Sequence, residues 1–187
     1  AIAEGLDYAH SQDVLHRDLK PANILMDPVR GPMLSDFGLA KLMRANISSV
    51  TVSGGIAGTP HYIAPEIWEE KEATPQTDIY ALGCILYEML TGTKIFKGET
   101  PPAVMMAHFK PLELPEKWPE GVPPGVAEVL RTALAQEPAD RYATAGNMVE
   151  ALTALRPDDV AEPPHAPEKV EPEPLPSSAR PDSESSD

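Results

Sequence analysis

His16-Arg17-Asp18-Leu19-Lys20-Pro21-Ala22-Asn23 is the stretch on which the reading of this chain turns. Within six residues, Asp18 to Asn23, it gathers a carboxylate, an ammonium and an amide, and the apolar run Ile24-Leu25-Met26 follows at once. Such a set suits phosphoryl transfer: a carboxylate orients an attacking hydroxyl, a lysine offsets phosphate charge, and an amide oxygen holds a metal ion. Thirteen residues beyond Asn23 stands Asp36-Phe37-Gly38, a second carboxylate with a glycine two positions on. Mg2+ prefers oxygen ligands and shares them with substrate phosphates, so Asp36 is a suitable ligand. Alone, Asp-Phe-Gly would read as a turn. Asp18, eighteen residues earlier, gives it weight.

The two motifs resemble those of the protein kinase family, whose catalytic loop reads H-R-D-x-x-x-x-N and whose metal-binding motif reads D-F-G. Chance agreement with the first motif is on the order of one in ten million or less, at roughly one in twenty per fixed residue. A charged surface turn is the bland alternative, and the second motif argues against it. The resemblance implies an α+β, protein-kinase-like fold, in which a mostly helical large lobe carries a short β pair. It implies that Asp18 accepts or orients the hydroxyl proton and that Lys20 stabilises the transferring phosphoryl group of ATP. It further implies that Asn23 and Asp36 hold Mg2+, that Leu25 forms the floor under the adenine ring, and that His16 and Arg17 support the loop.

Gly58-Thr59-Pro60-His61-Tyr62-Ile63-Ala64-Pro65-Glu66 strengthens the resemblance, matching the kinase pattern G-T-x-x-Y-x-A-P-E throughout. By that likeness Thr59 ties Asp18 and Lys20 together. With Lys20 two residues after Asp18, it points to serine or threonine as the acceptor on a protein substrate. Glu66 is expected to be structural and to pair with Arg141 of Asp140-Arg141-Tyr142. Asp78 reads locally as a helix N-terminal charge; by resemblance it anchors the catalytic-loop backbone. The spelling Asp78-Ile79-Tyr80-Ala81-Leu82-Gly83 is common in bacterial kinases of the eukaryotic type.

Residues 39–57 include Ile47-Ser48-Ser49-Val50-Thr51-Val52-Ser53-Gly54-Gly55, rich in hydroxyls and glycine and without strong periodicity. A flexible loop is one reading. An activation segment is the other, with Thr51 and Ser53 as phosphorylation sites, Ser48 and Ser49 behind them, and Arg17 as the cationic partner. A phosphate adds about −1.5 to −2 charges and three acceptor oxygens. The resemblance also allows two copies to pair for autophosphorylation. Gly54-Gly55-Ile56-Ala57-Gly58 lacks the G-x-G start and the strand-to-helix context of a nucleotide-binding loop.

Periodicity places the elements. Ile2, Leu6 and Ala9 mark a helix over 1–12. Two short strands, Ile24-Leu25-Met26 and Pro32-Met33-Leu34-Ser35, flank the turn Asp27-Pro28-Val29-Arg30-Gly31. The strongest helix runs from Thr77 to Leu90, capped by Thr77 or Gln76 and ended by Thr91-Gly92. Its apolar face comprises Ile79, Leu82, Leu86, Met89 and Leu90, widened by Ile85. A short helix around 102–109, in which Met105 and Met106 pack, precedes one carrying Val126, Val129, Leu130 and Ala133. Trp118 is expected to cover the core. Thr144 caps the last helix, with Met148, Leu152 and Leu155 inward.

The chain has 187 residues and a formal charge of −14. That length suits one or two domains, and a compact domain near 150 residues buries roughly 70% of its unfolded surface. The charge argues for solubility and against general binding to nucleic acid or anionic membranes. Cys84 is the only cysteine. No intrachain disulfide can form, and its apolar neighbours suggest a buried thiol in a reducing compartment, with the kinase part in the cytoplasm. No run of 18 apolar residues occurs, and five scattered histidines give no metal-site spacing.

After Arg156 the composition changes. Residues 157–187 hold eight of the 22 prolines, and two basic side chains against nine acidic ones. No aromatic residue occurs there, so little surface is available to offset the entropy of ordering. The expected organisation is a kinase large lobe over 1–156 and a disordered tail or linker rich in Pro, Glu and Ser over 157–187. Residues 1–5 lack the basic start and apolar core of a signal peptide, and there is no initiating Met. Nor does any Gly-rich loop precede residue 16. The chain is therefore expected to be a fragment lacking the small lobe and inactive by itself. The rival reading is a truncated, non-catalytic interaction module.

Overall fold

Ala3, Leu6 and Ala9 recur on one side of helix α1, Ile2–Ser11, and are buried there. This spacing of three to four residues brings apolar side chains onto one stripe of a helix. The computed structural model describes residues 1–37 and 60–155 of the chain. The described part is mostly helical, with one two-stranded antiparallel sheet.

Strand β1, Ile24–Asp27, pairs with β2, Gly31–Leu34, in the register Ile24 opposite Leu34 and Asp27 opposite Gly31. Asp27 builds the turn: its Oδ1 accepts from the backbone N–H groups of Val29 and Arg30 at 2.8 and 2.7 Å. Those bonds hold its carboxyl below the usual carboxylate range. Gly31 closes the turn with φ of 79°, which glycine adopts without a Cβ penalty.

The later helices are α2, Pro65–Trp68; α3, Pro75–Thr91; α4, Pro101–His108; α5, Val126–Ala133; and α6, Ala145–Thr153. Helix α3 begins two residues earlier than Thr77. Its N-cap is Thr74, and Pro75 takes the first helical position, where a missing N–H costs nothing. Thr77 is an early helical residue whose hydroxyl accepts from the Thr74 N–H at 3.0 Å. Gly92 ends the helix at φ 69°.

Helix α3 is the axis of the core. Thr77 to Ala81 are all buried, more than one full turn, and so are Gly83, Cys84 and Ile85. The helix is thus enclosed on all sides in its first half and emerges only later. That is why Met89, expected on an apolar face, is 77% exposed. Met106 on α4 is likewise exposed, because Val104 and His108 take the inward positions of that helix. Burial pushes the Cys84 thiol well above its ordinary pKa.

Helix α5 lies against α3, and α1 lies against α6 and β2. The α3–α5 approach is close at Gly83, where a Cβ would meet the Ala133 Cβ at 3.0 Å. Trp118 packs partly buried against the core, its ring 6.2 Å from that of Tyr87. Thr144 caps α6 by accepting from the Asn147 N–H at 3.0 Å. Leu6, Ile79 and Leu130 have no solvent exposure and belong to one buried cluster, to which α1, α3, α5 and α6 contribute and which Leu19 of the Asp18 loop joins.

Candidate active site

Leu19 is buried and pins the loop between α1 and β1 to the core. Pro21–Asn23 then form a single 3-10 turn, closed by the Asn23 N–H donating to the Lys20 carbonyl at 3.0 Å. The turn folds the Asn23 amide back under Asp18. Its Nδ2 donates to the Asp18 carbonyl at 2.8 Å and to Asp18 Oδ2 at 3.2 Å. Lys20 Nζ donates to the same Oδ2 at 2.7 Å. The Asp18 side chain keeps 38% exposure, so the carboxylate is oriented by two donors and still open to solvent.

The loop hangs from a buried carboxylate. Asp78 is 1% exposed at the start of α3; its Oδ2 accepts from the His16 N–H and its Oδ1 from the Arg17 N–H, both at 2.8 Å. His10 Nε2 on α1 completes the set at 2.8 Å from Oδ2. His16 turns the loop toward the second motif. Its Nε2 donates to the Ser35 carbonyl at 2.9 Å, because a carbonyl can only accept, and its Nδ1 receives the Asp18 N–H at 3.4 Å. The His16 ring lies 4.7 Å from that of Phe37.

Ser35 also joins the motifs through the backbone, donating its N–H to the Asn23 carbonyl at 3.0 Å. Asp36 follows with φ of 61°, exposed, accepting one hydrogen bond from Ser35 Oγ at 3.2 Å. Arg17 also has a positive φ, 67°. Left-handed backbone at a non-glycine residue costs on the order of 1–3 kcal/mol and persists where the surroundings enforce it. The two Asp78 bonds and the strand pair enforce it here. Among the described residues, no acceptor reaches the buried Arg17 Nε.

Glu66 and Arg141 form a buried bidentate pair with both contacts at 2.8 Å. The remaining guanidinium bonds go to the carbonyls of Ala135, Gln76 and Gln136, so all five donors are used. The Thr77 hydroxyl donates to Glu66 at 2.8 Å. Burial alone raises the Glu66 pKa, but the bonds and charge of Arg141 and the Thr77 hydroxyl outweigh it and hold the carboxyl below its ordinary range.

The structure therefore brings Asp18, Lys20 and Asn23 together, connects His16 to Asp36 through Ser35, and joins Glu66 to Arg141. Leu25 lies exposed on β1. Gly38, Ser48, Ser49, Thr51, Ser53 and Thr59 lie outside the described residues. Sequence reasoning missed His10 and Ser35. His10 meets Asp78 across 68 residues, and no local pattern announces such a partner. Ser35 meets His16 through its backbone carbonyl, a group every residue type carries, and its hydroxyl finds Asn23 and Asp36 only once the strand pair has formed.

The protein kinase domain family matches residues 1–152. The chain belongs to that family. This kinase-domain chain is 39% identical over 151 residues to the serine/threonine-protein kinase PknA of Mycobacterium tuberculosis, covering 81% of this chain and 34% of PknA. It is 36% identical over 159 residues to a probable serine/threonine-protein kinase of Corynebacterium efficiens, covering 82% of this chain and 24% of that protein. The serine/threonine-protein kinase PknB of M. tuberculosis is 34% identical over 165 residues, covering 88% of this chain and 26% of PknB. The kinase-domain chain thus spans between about a quarter and a third of the length of these curated relatives.

Proposed function

We propose that residues 1–156 are the large lobe of a eukaryotic-type serine/threonine protein kinase, followed by a tail or linker over 157–187. The observation that carries this reading is the Asp18 carboxylate gripped by Lys20 at 2.7 Å and Asn23 at 3.2 Å while remaining open to an acceptor. ATP bound with Mg2+ supplies the transferable γ-phosphoryl group. Asp18 orients the acceptor hydroxyl and takes its proton. Lys20, already beside Asp18, offsets charge on the phosphoryl side.

The donor set fits Mg2+. Both Asn23 amide bonds are made through nitrogen, which leaves Oδ1 for a cation, and the Asp36 carboxylate is exposed with one hydrogen bond. Among the described residues no group of three His, Cys, Asp or Glu side chains forms a metal site of its own. That suits an ion held by one or two protein oxygens and substrate phosphates. An open apolar groove of about 480 Å³ between α1 and β2, with Ile2, Tyr8, Met33, Leu34 and Phe37 in its walls, supports a small lobe that covers it in the full-length protein. Leu25, exposed on β1, would supply apolar surface to the adenine ring.

The acceptor is a serine or threonine of a protein, in keeping with Lys20, Thr59 and the names of the relatives. No described helix is long and apolar enough to cross a membrane; the kinase part works in the cytoplasm, where ATP is supplied. The test is Asp18→Asn in the full-length protein. Phosphotransfer to a protein acceptor should fall by about 10²–10⁴-fold, the range for a positioned acid–base group. Undiminished turnover would remove Asp18 from the mechanism.

Regulation follows from Arg17, whose buried Nε lacks an acceptor among the described residues. Phosphorylation of Thr51 or Ser53, by a second copy of the chain, supplies one. Mass spectrometry after incubation with ATP should find phosphate within 48–53. An active enzyme unmodified there would rule this out.

A further inference from the structure

Residues 60–62 lead out of the segment that carries Thr59, and each is held by a different element. The Pro60 carbonyl lies 3.0 Å from His108 Nε2 on α4. His61 Nδ1 lies 2.8 Å from the Phe96 carbonyl. The Tyr62 hydroxyl donates to Glu88 on α3. Among these anchoring side chains His108 stands out, because it has no solvent exposure at all.

Its hydrogen-bond roles follow from its partners. A carbonyl can only accept, so Nε2 carries the hydrogen. Nδ1 of the neutral ring is then an acceptor, and the Tyr80 hydroxyl donates to it at 2.8 Å. Burial keeps the ring neutral, lowering its pKa to about 4. The ring is packed against Phe96, with centroids 4.0 Å apart. The Arg141 guanidinium lies over the Tyr80 ring, 4.7 Å from its centroid. Pro60 is thereby connected through two side chains to the cation that holds Glu66.

We infer that His108 is a positioning residue: by holding the Pro60 carbonyl it fixes residues 60–63, which lead from the catalytic segment to Glu66, and so steadies the acceptor side of the site. This inference rests on the kinase reading and deepens it. An apolar side chain would fill the same space equally well. Only a group that donates to Pro60 and accepts from Tyr80 at once keeps both partners, and the Tyr80 hydroxyl, which has no solvent exposure, would otherwise lose its acceptor at a cost.

The experiment compares His108→Gln, which keeps a donor and an acceptor, with His108→Met, which fills the volume with neither, in the full-length protein. Dephosphorylated casein and ATP are varied separately. His108→Met should lower kcat/KM for casein by about tenfold, with KM for ATP unchanged and His108→Gln restoring most of the loss. A folded Met variant with unchanged kcat/KM for casein would overturn the inference, as would equal losses in the Gln and Met variants.

A second measurement needs no activity. The Ile63 N–H donates to the same Pro60 carbonyl. Its amide hydrogen exchange should quicken in the Met variant and stay near wild type in the Gln variant; identical exchange in all three proteins overturns the inference. A wild-type protein without phosphotransfer would instead defeat the kinase reading, and the exchange data would still decide whether His108 holds residues 60–63.

Discussion

Arg141 has a side chain with no solvent exposure, and all five of its donors are used. Removing Glu66 would strand that charge. Glu66→Ala should therefore cost roughly 3–5 kcal/mol of stability, the range for breaking a buried pair from one side, read from the urea midpoint. Glu66→Gln probes the pH dependence. The folded pKa of Glu66 lies below the ordinary 4.5. Its contribution is thus fully present above that value and is lost as pH falls through the folded pKa. Wild-type stability should decline below about pH 4.5, and the decline should be shallower in Glu66→Gln. Equal acid limbs would show that Glu66 titrates alike folded and unfolded. Glu66 and Arg141 could be named as partners from the family pattern alone. The other three acceptors of Arg141 could not, because they are backbone carbonyls placed by the fold.

At the scale of elements, helix starts decide the architecture. Helix α6 opens with Thr144 as cap, yet two more of its first N–H groups are satisfied from α1. The Asp7 carboxylate accepts from Ala145 and Gly146, both at 2.8 Å and from 138 and 139 residues away. Asp7→Ala would leave those donors unpaired and should cost about 1–2 kcal/mol, as other capping losses do. A denaturant midpoint equal to wild type would show that water replaces the carboxylate. The capping threonine was legible in the sequence because its partner is local. Asp7 was not, because it lies on α1 and nothing nearby marks it as a cap. Helix α3 teaches the same lesson. Its existence was plain from periodicity, while its enclosure on all sides, which leaves Met89 outside, depends on what surrounds it.

For the whole molecule, catalysis needs the nucleotide positioned as well as the acceptor. The chain of 187 residues alone should therefore transfer no phosphoryl group under conditions where the full-length protein does, as radiolabelled ATP would show. Turnover by the isolated chain would mean that its own residues suffice to hold the nucleotide. The site's chemistry was written locally: Asp18, Lys20 and Asn23 stand within six residues, and the 3-10 turn over Pro21–Asn23 brings the Asn23 amide back to Asp18. The family pattern named Asp78 as the anchor of that loop, and tertiary structure alone decided that His10 and Ser35 join it. Asp78, His10 and Ser35 come from separate elements, and the bonds they make depend on α1, α3 and the strand pair converging on one loop. Side-chain chemistry and short spacings are properties of the chain itself. A contact across 60 or more residues exists only once the core formed by α1, α3 and α5 has brought its partners within 3 Å.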